Sequence, residues 1–214
     1  MRVLVTAGPT REHLDAVRFL SNGATGRQGI ELAAALARRG HEARLVLGPT
    51  HLPAPEAPGV CTVRVVSACE MLAACEREWP ECDALVATAA VADHRPAVRH
   101  PGKPPKGATG ETLALVRNPD IVATLAAGRG RRPVVGFALQ VEDAEAEARR
   151  KLVAKGLDAI VVDAPAALGA ERADFRLIRA LGATAEWPGL TKRELAERLV
   201  ELLVELDARA RARP

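Results

Sequence analysis

Apolar positions along the 214-residue chain follow two rhythms. Short, nearly unbroken apolar runs alternate with longer stretches in which apolar residues recur every three or four positions. The first rhythm suits buried strands and the second amphipathic helices. RVLVTAG (Arg2–Gly8) predicts a first strand, and GIELAAALARRG (Gly29–Gly40) a helix closed by Gly40. Further strands are expected at Glu42–Gly48 and Val60–Val66, with the proline-rich PTHLPAPEAPG as the loop between them. Ser67 is placed to cap a helix through ACEMLAACEREW, which Pro80 ends. DALVATAA (Asp83–Ala90) reads as a fourth strand.

The rhythm then breaks. Val91–Glu111 is rich in proline and glycine and has no usable period. TLALVRN beyond it reads as a strand, and PDIVATLAA as a short helix with Pro119 at its start. PVVGFAL and DAIVVDA are two more strands, flanking a helix from about Glu142 to Lys155. DFRLIRA alternates apolar and polar residues, the pattern of an edge strand. TKRELAERLVELLVEL is a C-terminal helix with a capping box of Thr191 and Glu194. Repeated β–α units of this kind predict one α/β domain over residues 1–214, a doubly wound, mostly parallel sheet with helices on both faces. Ligands of such sheets bind beyond the carboxyl ends of the strands. Both long irregular segments, Pro9–Thr25 and Val91–Gly110, begin at such ends, so they are read as active-site loops.

Composition narrows the function. Aromatic residues make up 2% of the chain, with no tyrosine, which leaves little for base-stacking platforms. A net charge of +3 with scattered arginines argues against a nucleic-acid surface but leaves room for a local anion site. Cys61, Cys69, Cys75 and Cys82 form no CxxC pair, so neither a zinc site nor a disulfide framework is suggested. The first strand starts at once, without a signal peptide, and no apolar run reaches transmembrane length; the expected setting is the cytoplasm, away from membranes.

Candidate chemistry concentrates in the two loops. NGATGRQG, with Arg11, Arg18 and Arg27 around it, could present backbone N–H groups to a phosphate or carboxylate, or be a glycine turn with solvated arginines. Asp93, His94 and Arg95 follow the small residues ATAAVA; Lys103 and Lys106 could neutralise phosphates or belong to a solvated basic loop. Lys151 and Lys155 share one helix face, where Glu147 could pair with Lys151, and Phe137 could pack in the core or edge a base pocket.

Taken together, TAGPTRE.LD.VRF.SN...G..G (Thr6–Gly29), ATAAVADHRP (Ala87–Pro96), KPPK (Lys103–Lys106), LVRNPDIVATL, VVGFA and ARRKLVAKGLDAIVV resemble the phosphopantothenoylcysteine synthetase family of coenzyme A biosynthesis. The stretches occur in family order over nearly the whole chain. The resemblance implies a Rossmann-like sheet and a ligase joining 4′-phosphopantothenate to L-cysteine through an acyl-nucleotide. It implies catalytic roles for Asn22, Lys103 and Arg18. Nucleotide contacts carry over to Ala87, Thr88, Ala89, Asp93, Lys103, Pro119, Asp120, Ile121, Val122, Phe137, Lys151 and Lys155, and phosphopantothenate contacts to Asn22, Thr25, Gly26 and Arg27. Mg²⁺ is expected with CTP or ATP, bacterial relatives favouring CTP, but the metal ligands are unassigned. A homodimer is expected, with the Val91–Gly110 loop and the strand near Asp174–Ala180 as contributors.

The chain departs from the family pattern at Gly23, Ala24 and Arg27, where SNxSSGKMG is usual, and between Lys103 and Lys106, where KIKK is usual. Gln140 and Asp163 also depart, the latter where the family tends to have AND. Beginning at the synthetase strand, the chain reads as the free-standing form without a decarboxylase domain. Two other classes stay open: a nicotinamide- or flavin-dependent oxidoreductase, which would want compact glycines and an acidic end to the second strand, and a non-catalytic nucleotide-binding relative.

Overall fold

The computed structural model describes residues 1–103, 112–139, 144–164, 167 and 169–212. In chain order its strands are β1 (Arg2–Ala7), β2 (Glu12–His13), β3 (Phe19–Leu20), β4 (Glu42–Leu47), β5 (Val60–Arg64), β6 (Ala84–Ala87), β7 (His94–Pro96), β8 (Leu115–Arg117), β9 (Val134–Leu139), β10 (Ala159–Asp163), β11 (Arg172–Arg179) and β12 (Ala185–Thr191). Its helices are α1 (Arg27–Arg38), α2 (Ala68–Glu78), α3 (Ile121–Ala127), α4 (Ala144–Ala154) and α5 (Lys192–Ala212).

Eight strands form one sheet in the order β12-β11-β10-β9-β6-β1-β4-β5. The six from β10 to β5 are parallel, and β11 and β12 add antiparallel at one edge. β1 is central because it is apolar on both sides. Val3, Val5 and Ala7 face α1 and α5, while Leu4 faces the layer of α2, α3 and α4. The two cores are separated by the sheet, as the two-residue alternation of a strand requires. From β1 the chain winds outwards to β4 and β5, then returns to β6 and winds the other way, so the carboxyl ends of β1 and β6 diverge into a crevice. This is the expected Rossmann-like, doubly wound sheet. Among the described residues no helix is long and apolar enough to cross a membrane.

Local signals held where the chain supplies its own partners. Ser67 Oγ accepts the Glu70 N–H at 3.3 Å, and α2 gives way to a single 3-10 turn, Trp79–Glu81, at Pro80. The Thr191–Glu194 box closes in both directions, at 3.1 and 2.7 Å. Gly40 follows α1 with a left-handed φ of 74°.

Other elements differ from expectation. TLALVRN does not join the main sheet: only Leu115–Arg117 is a strand, paired antiparallel with β7 in a separate ribbon. Likewise, DFRLIRA is not the edge strand, because β12 lies outside it. Trp187-Pro188-Gly189 hides β12 from a sequence reading, since proline and glycine ordinarily exclude a strand. The structure accommodates them at a register shift between Ala173 and Phe175, where Asp174 Oδ1 accepts the Gly189 N–H at 2.7 Å. α3 starts later than Pro119, with Asp120 as its cap. The beginning of the predicted helix at Glu142, as well as Lys106 and Gln140, lies outside the described residues.

The first loop also contains a small ribbon, β2 against β3. Asp15 is buried at its turn and accepts the Arg18 and Val17 N–H groups, each at 2.7 Å, and Arg18 Nε at 2.7 Å. Those backbone donors, Arg18 first, outweigh burial and hold the carboxyl at a pKa of about 2. A lowered carboxylate pKa contributes stability that is full above its ordinary range and is lost as pH falls through the folded value. We therefore expect the melting-temperature gap between wild type and Asp15→Asn to be constant above about pH 4 and to shrink from there towards pH 2. A gap that stays constant down to pH 2, followed by thermal melts across that range, would count against Asp15 as the turn's anchor.

Candidate active site

The crevice between β1 and β6 becomes a cavity because α1 comes unusually close to the strand ends. Gly26 caps α1 with a left-handed φ of 79°, and a Cβ there would lie 3.1 Å from Gly8 Cα. A Cβ at Gly29, one turn on, would land on the Ala7 side chain and 2.6 Å from Thr88 Oγ1. Glycine at these positions lets the first turn of α1, whose N–H groups have no partner within the helix, sit over the sheet. The widely spaced Gly8 and Gly26 are thus partners in space.

The resulting cavity has a volume of about 700 Å³, within the roughly 300–1,000 Å³ of small-molecule sites. It runs over the carboxyl ends of β1, β6, β9 and β10. Eleven of the residues carried over from the family's nucleotide contacts line it: Ala87, Thr88, Ala89, Asp93, Pro119, Asp120, Ile121, Val122, Phe137, Lys151 and Lys155. Thr25, Gly26 and Arg27 line it as well. Phe137 packs against the core on the α1 side and also lines the cavity.

Lys155 Nζ reaches Asp120 Oδ2 at 2.8 Å, and Asp120 Oδ1 accepts the Ala123 N–H at 3.0 Å. One carboxylate therefore caps α3 and orients a lysine just past the end of α4. Burial pushes the Asp120 pKa up, but Lys155 and the cap N–H groups outweigh it, and the carboxyl sits below its ordinary value. Lys151 lies 3.7 Å from Glu147, the pairing expected for one helix face, and it also lines the cavity. The second wall is held by a network of backbone acceptors. Asn118 Nδ2 donates to the Ala92 carbonyl at 2.8 Å, Asp93 accepts the Asn118 N–H at 2.8 Å, and Arg95 Nη1 donates to Asn118 Oδ1 at 3.1 Å.

Asn22, Arg18 and Lys103 do not line the cavity. Asn22 stands at the rim: its Nδ2 donates to the carbonyl of Ala90, a wall residue, at 2.6 Å, and its Oδ1 accepts the Ala24 N–H at 3.1 Å. Ser21 Oγ donates to the Thr10 carbonyl at 2.7 Å, and Thr10 Oγ1 accepts the Ala92 N–H at 3.0 Å. The two loops are thereby clipped together beside the cavity. Arg18 is directed to Asp15, and Lys103 is an exposed residue at the end of a described segment.

Several wall residues lie in stretches quoted from the sequence but were assigned no contact there, among them Gln28, Arg117, Asn118 and Lys192. Lys192 was hidden inside the C-terminal helix pattern, where a first-turn lysine carries no signal of its own. Asp163 drew notice only as a departure from the family. Burial raises its pKa to about 6 against the pull of Lys192, and burial lowers that of Lys192.

A family model described as the DNA/pantothenate metabolism flavoprotein C-terminal domain matches residues 1–206. The coenzyme A biosynthesis bifunctional protein CoaBC of Vibrio cholerae is 47% identical over 162 residues, 74% of this chain and 40% of that protein. The protein of the same name from Mycobacterium tuberculosis is 36% identical over 95% of this chain and 52% of its own length. The chain thus spans about half or less of these curated relatives. The crystal structure of the C-terminal domain of a CoaBC is 35% identical, with a TM-score of 0.82 over 97% of this chain and 96% of that one. A DNA/pantothenate metabolism flavoprotein from Streptococcus pneumoniae, 22% identical over 96% of this chain and 99% of that one, shares the fold at a TM-score of 0.82. The chain belongs to the family of the DNA/pantothenate metabolism flavoprotein C-terminal domain, the phosphopantothenoylcysteine synthetase family that its motifs resemble.

Proposed function

We propose that this chain joins 4′-phosphopantothenate to L-cysteine in coenzyme A biosynthesis, at the expense of a nucleoside triphosphate. The observation that carries the reading is one cavity at the switch point, lined together by Ala87–Ala89, Asp93, Pro119–Val122, Phe137, Lys151, Lys155 and Thr25–Arg27. Family membership and the CoaBC relatives support the pathway.

In this reading the pantothenate carboxylate attacks the α-phosphorus of the nucleotide. Pyrophosphate leaves, and an acyl-nucleotide remains. The cysteine amine then adds to the acyl carbon, and the tetrahedral centre collapses to the amide with loss of the nucleoside monophosphate. Both steps place negative charge on oxygen, so fixed donors and cations are what the protein must supply. Lys151 on α4 and Lys155 just past its end line the cavity, where they would meet nucleotide phosphates. Thr25, Gly26 and Arg27 present hydroxyl, amide and guanidinium groups to phosphopantothenate. Asn22 Nδ2 would exchange the Ala90 carbonyl for the acyl oxygen, and Lys103 and Arg18, which stand outside the cavity, would turn towards the phosphates. CTP is the nucleotide we favour.

A Mg²⁺ ion accompanying the triphosphate fits a modest donor set. Among the described residues no three carboxylate, imidazole or thiol groups converge. Asp93 and Asp120 offer single carboxylates on the wall, enough for an ion that takes most of its ligands from phosphate and water. Such an ion would neutralise phosphate charge.

We also propose that two copies associate through the ribbons. Phe19 on β3, Leu115 and Val116 on β8, and Val98 beyond β7 are exposed, Val98 by 67%, and β2 lies against β7. Apolar side chains gathered on neighbouring ribbons suit an interface.

The deciding experiment is pyrophosphate release from CTP and from ATP with 4′-phosphopantothenate and Mg²⁺, with and without L-cysteine. We expect release that depends on phosphopantothenate and amide product only when cysteine is added; folded protein that releases none with either nucleotide would defeat the reading. Asn22→Asp should keep the fold but slow amide formation by about a hundredfold or more, the scale of losing an oxyanion donor. Undiminished turnover would remove Asn22 from that role. Val116→Glu should shift the protein from dimer to monomer in light scattering; an unchanged mass would rule the ribbons out as the interface.

A further inference from the structure

One end of the cavity carries charge that the proposed contacts leave unused. Lys192, the first residue of α5, and Asp163, the last of β10, both line it, each with a side chain 13% exposed. Lys192 Nζ stands 3.9 Å from Asp163 Oδ2, outside hydrogen-bond reach. Its other close neighbour is the Phe175 ring, 4.7 Å from ammonium to centroid. A ring face attracts a cation but does not take its protons as an oxygen does. Among the described residues the ammonium is therefore largely enclosed and short of acceptors. Arg27, a second cation on the same wall, lies near enough to depress the Lys192 pKa by repulsion, after the larger effect of burial. Gln28 Nε2 donates to the Lys192 carbonyl at 3.3 Å, fixing the start of α5 against α1, and Gln28 Oε1 is buried without a partner among the described residues.

The opposite end of the cavity is arranged differently. Lys155, just past α4, reaches Asp120 at hydrogen-bond distance, 2.8 Å, while Lys151 stands 3.7 Å from Glu147, a carboxylate that Arg150 already holds at 2.7 Å. At the α1–α5 end, among the described residues, the carboxylate nearest Lys192 is Asp163 at 3.9 Å, and Arg27 is a second cation close to it. An enclosed cation with unfilled donors next to a second cation is costly by itself and favourable once an anion fills the space.

We propose that Lys192 is a phosphate-binding residue of this cavity, its ammonium donating to a phosphate oxygen of one of the two anionic substrates while Asp163 and Gln28 hold it at the wall. The identity of the substrates rests on the proposed function; the anion site does not. The phosphate belongs either to the nucleotide's polyphosphate or to the terminal monoester of phosphopantothenate. Arg27 flanks the same group, so the subsite pairs a compact point charge with a planar donor fork.

The test is calorimetric titration of wild type and Lys192→Met with four probes: CTP, 4′-phosphopantothenate, inorganic pyrophosphate and inorganic phosphate. Lys192→Gln carries the same expectation should the methionine variant melt too low to titrate, and Lys192→Arg should retain most of the affinity. Loss of one charged contact should weaken binding by about tenfold or more. Weakening confined to CTP and pyrophosphate assigns the lysine to the polyphosphate, and weakening confined to phosphopantothenate assigns it to the monoester. Unchanged affinity for all four probes, in a variant that melts like wild type, would overturn the proposal. Wild-type protein that binds neither substrate would instead sink the functional reading. The pyrophosphate and phosphate titrations would then decide Lys192 by themselves, weakened binding supporting it and unchanged binding refuting it.

Discussion

The site depends on how closely α1 can be pressed onto the ends of β1 and β6. Gly26 sits tightly on Gly8 with a left-handed φ, and Gly29 sits on Ala7 and Thr88 with no room for a side chain. That contact brings the N–H groups of a helix start, which have no partner within the helix, to the crevice where the sheet changes winding direction. It also sets the position of α5, which packs beside α1 and delivers Lys192 to the same wall. A larger residue at Gly29 would lift the helix, and the cavity floor and both cations would move with it.

The two loops then complete the enclosure through main-chain acceptors. Thr10 uses its hydroxyl for the Ala92 N–H and its carbonyl for Ser21, while Asn22 and Asn118 spend their amide groups on the carbonyls of Ala90 and Ala92. Small side chains at Ala87–Ala92 matter because they leave those backbone groups within reach. Here the same short stretch is at once the end of a strand, the anchor of a loop and a cavity wall.

Much of this was legible in the sequence because it is local. β1 and α1 announce themselves through period, and Ser67 and Thr191 through the glutamate three residues on, since each of those bonds is made within one turn. The residues carried over by family resemblance fall largely on one cavity, because strand ends and the following turns are contiguous in sequence. What stayed illegible is set by distant partners. Leu115–Arg117 has the composition of a buried strand, yet it pairs with His94–Pro96 outside the sheet. Asp174 makes a strand possible at Gly189, and nothing near Gly189 signals that. Lys192 and Asp163 meet only because α5 and β10 end at the same place, and their enclosure, not their identity, gives them their character.

The outer strand of the sheet has a consequence for how molecules of this protein can meet. An edge strand normally offers a row of N–H and carbonyl groups to any strand that arrives. In β12, Pro188 has no N–H to offer, and the neighbouring Gly189 N–H is already turned inward to Asp174. Another chain can therefore find no continuous ladder to extend there. Growth of the sheet from molecule to molecule, the route to fibres, is blocked at that margin by the same two residues that hide β12 from a sequence reading.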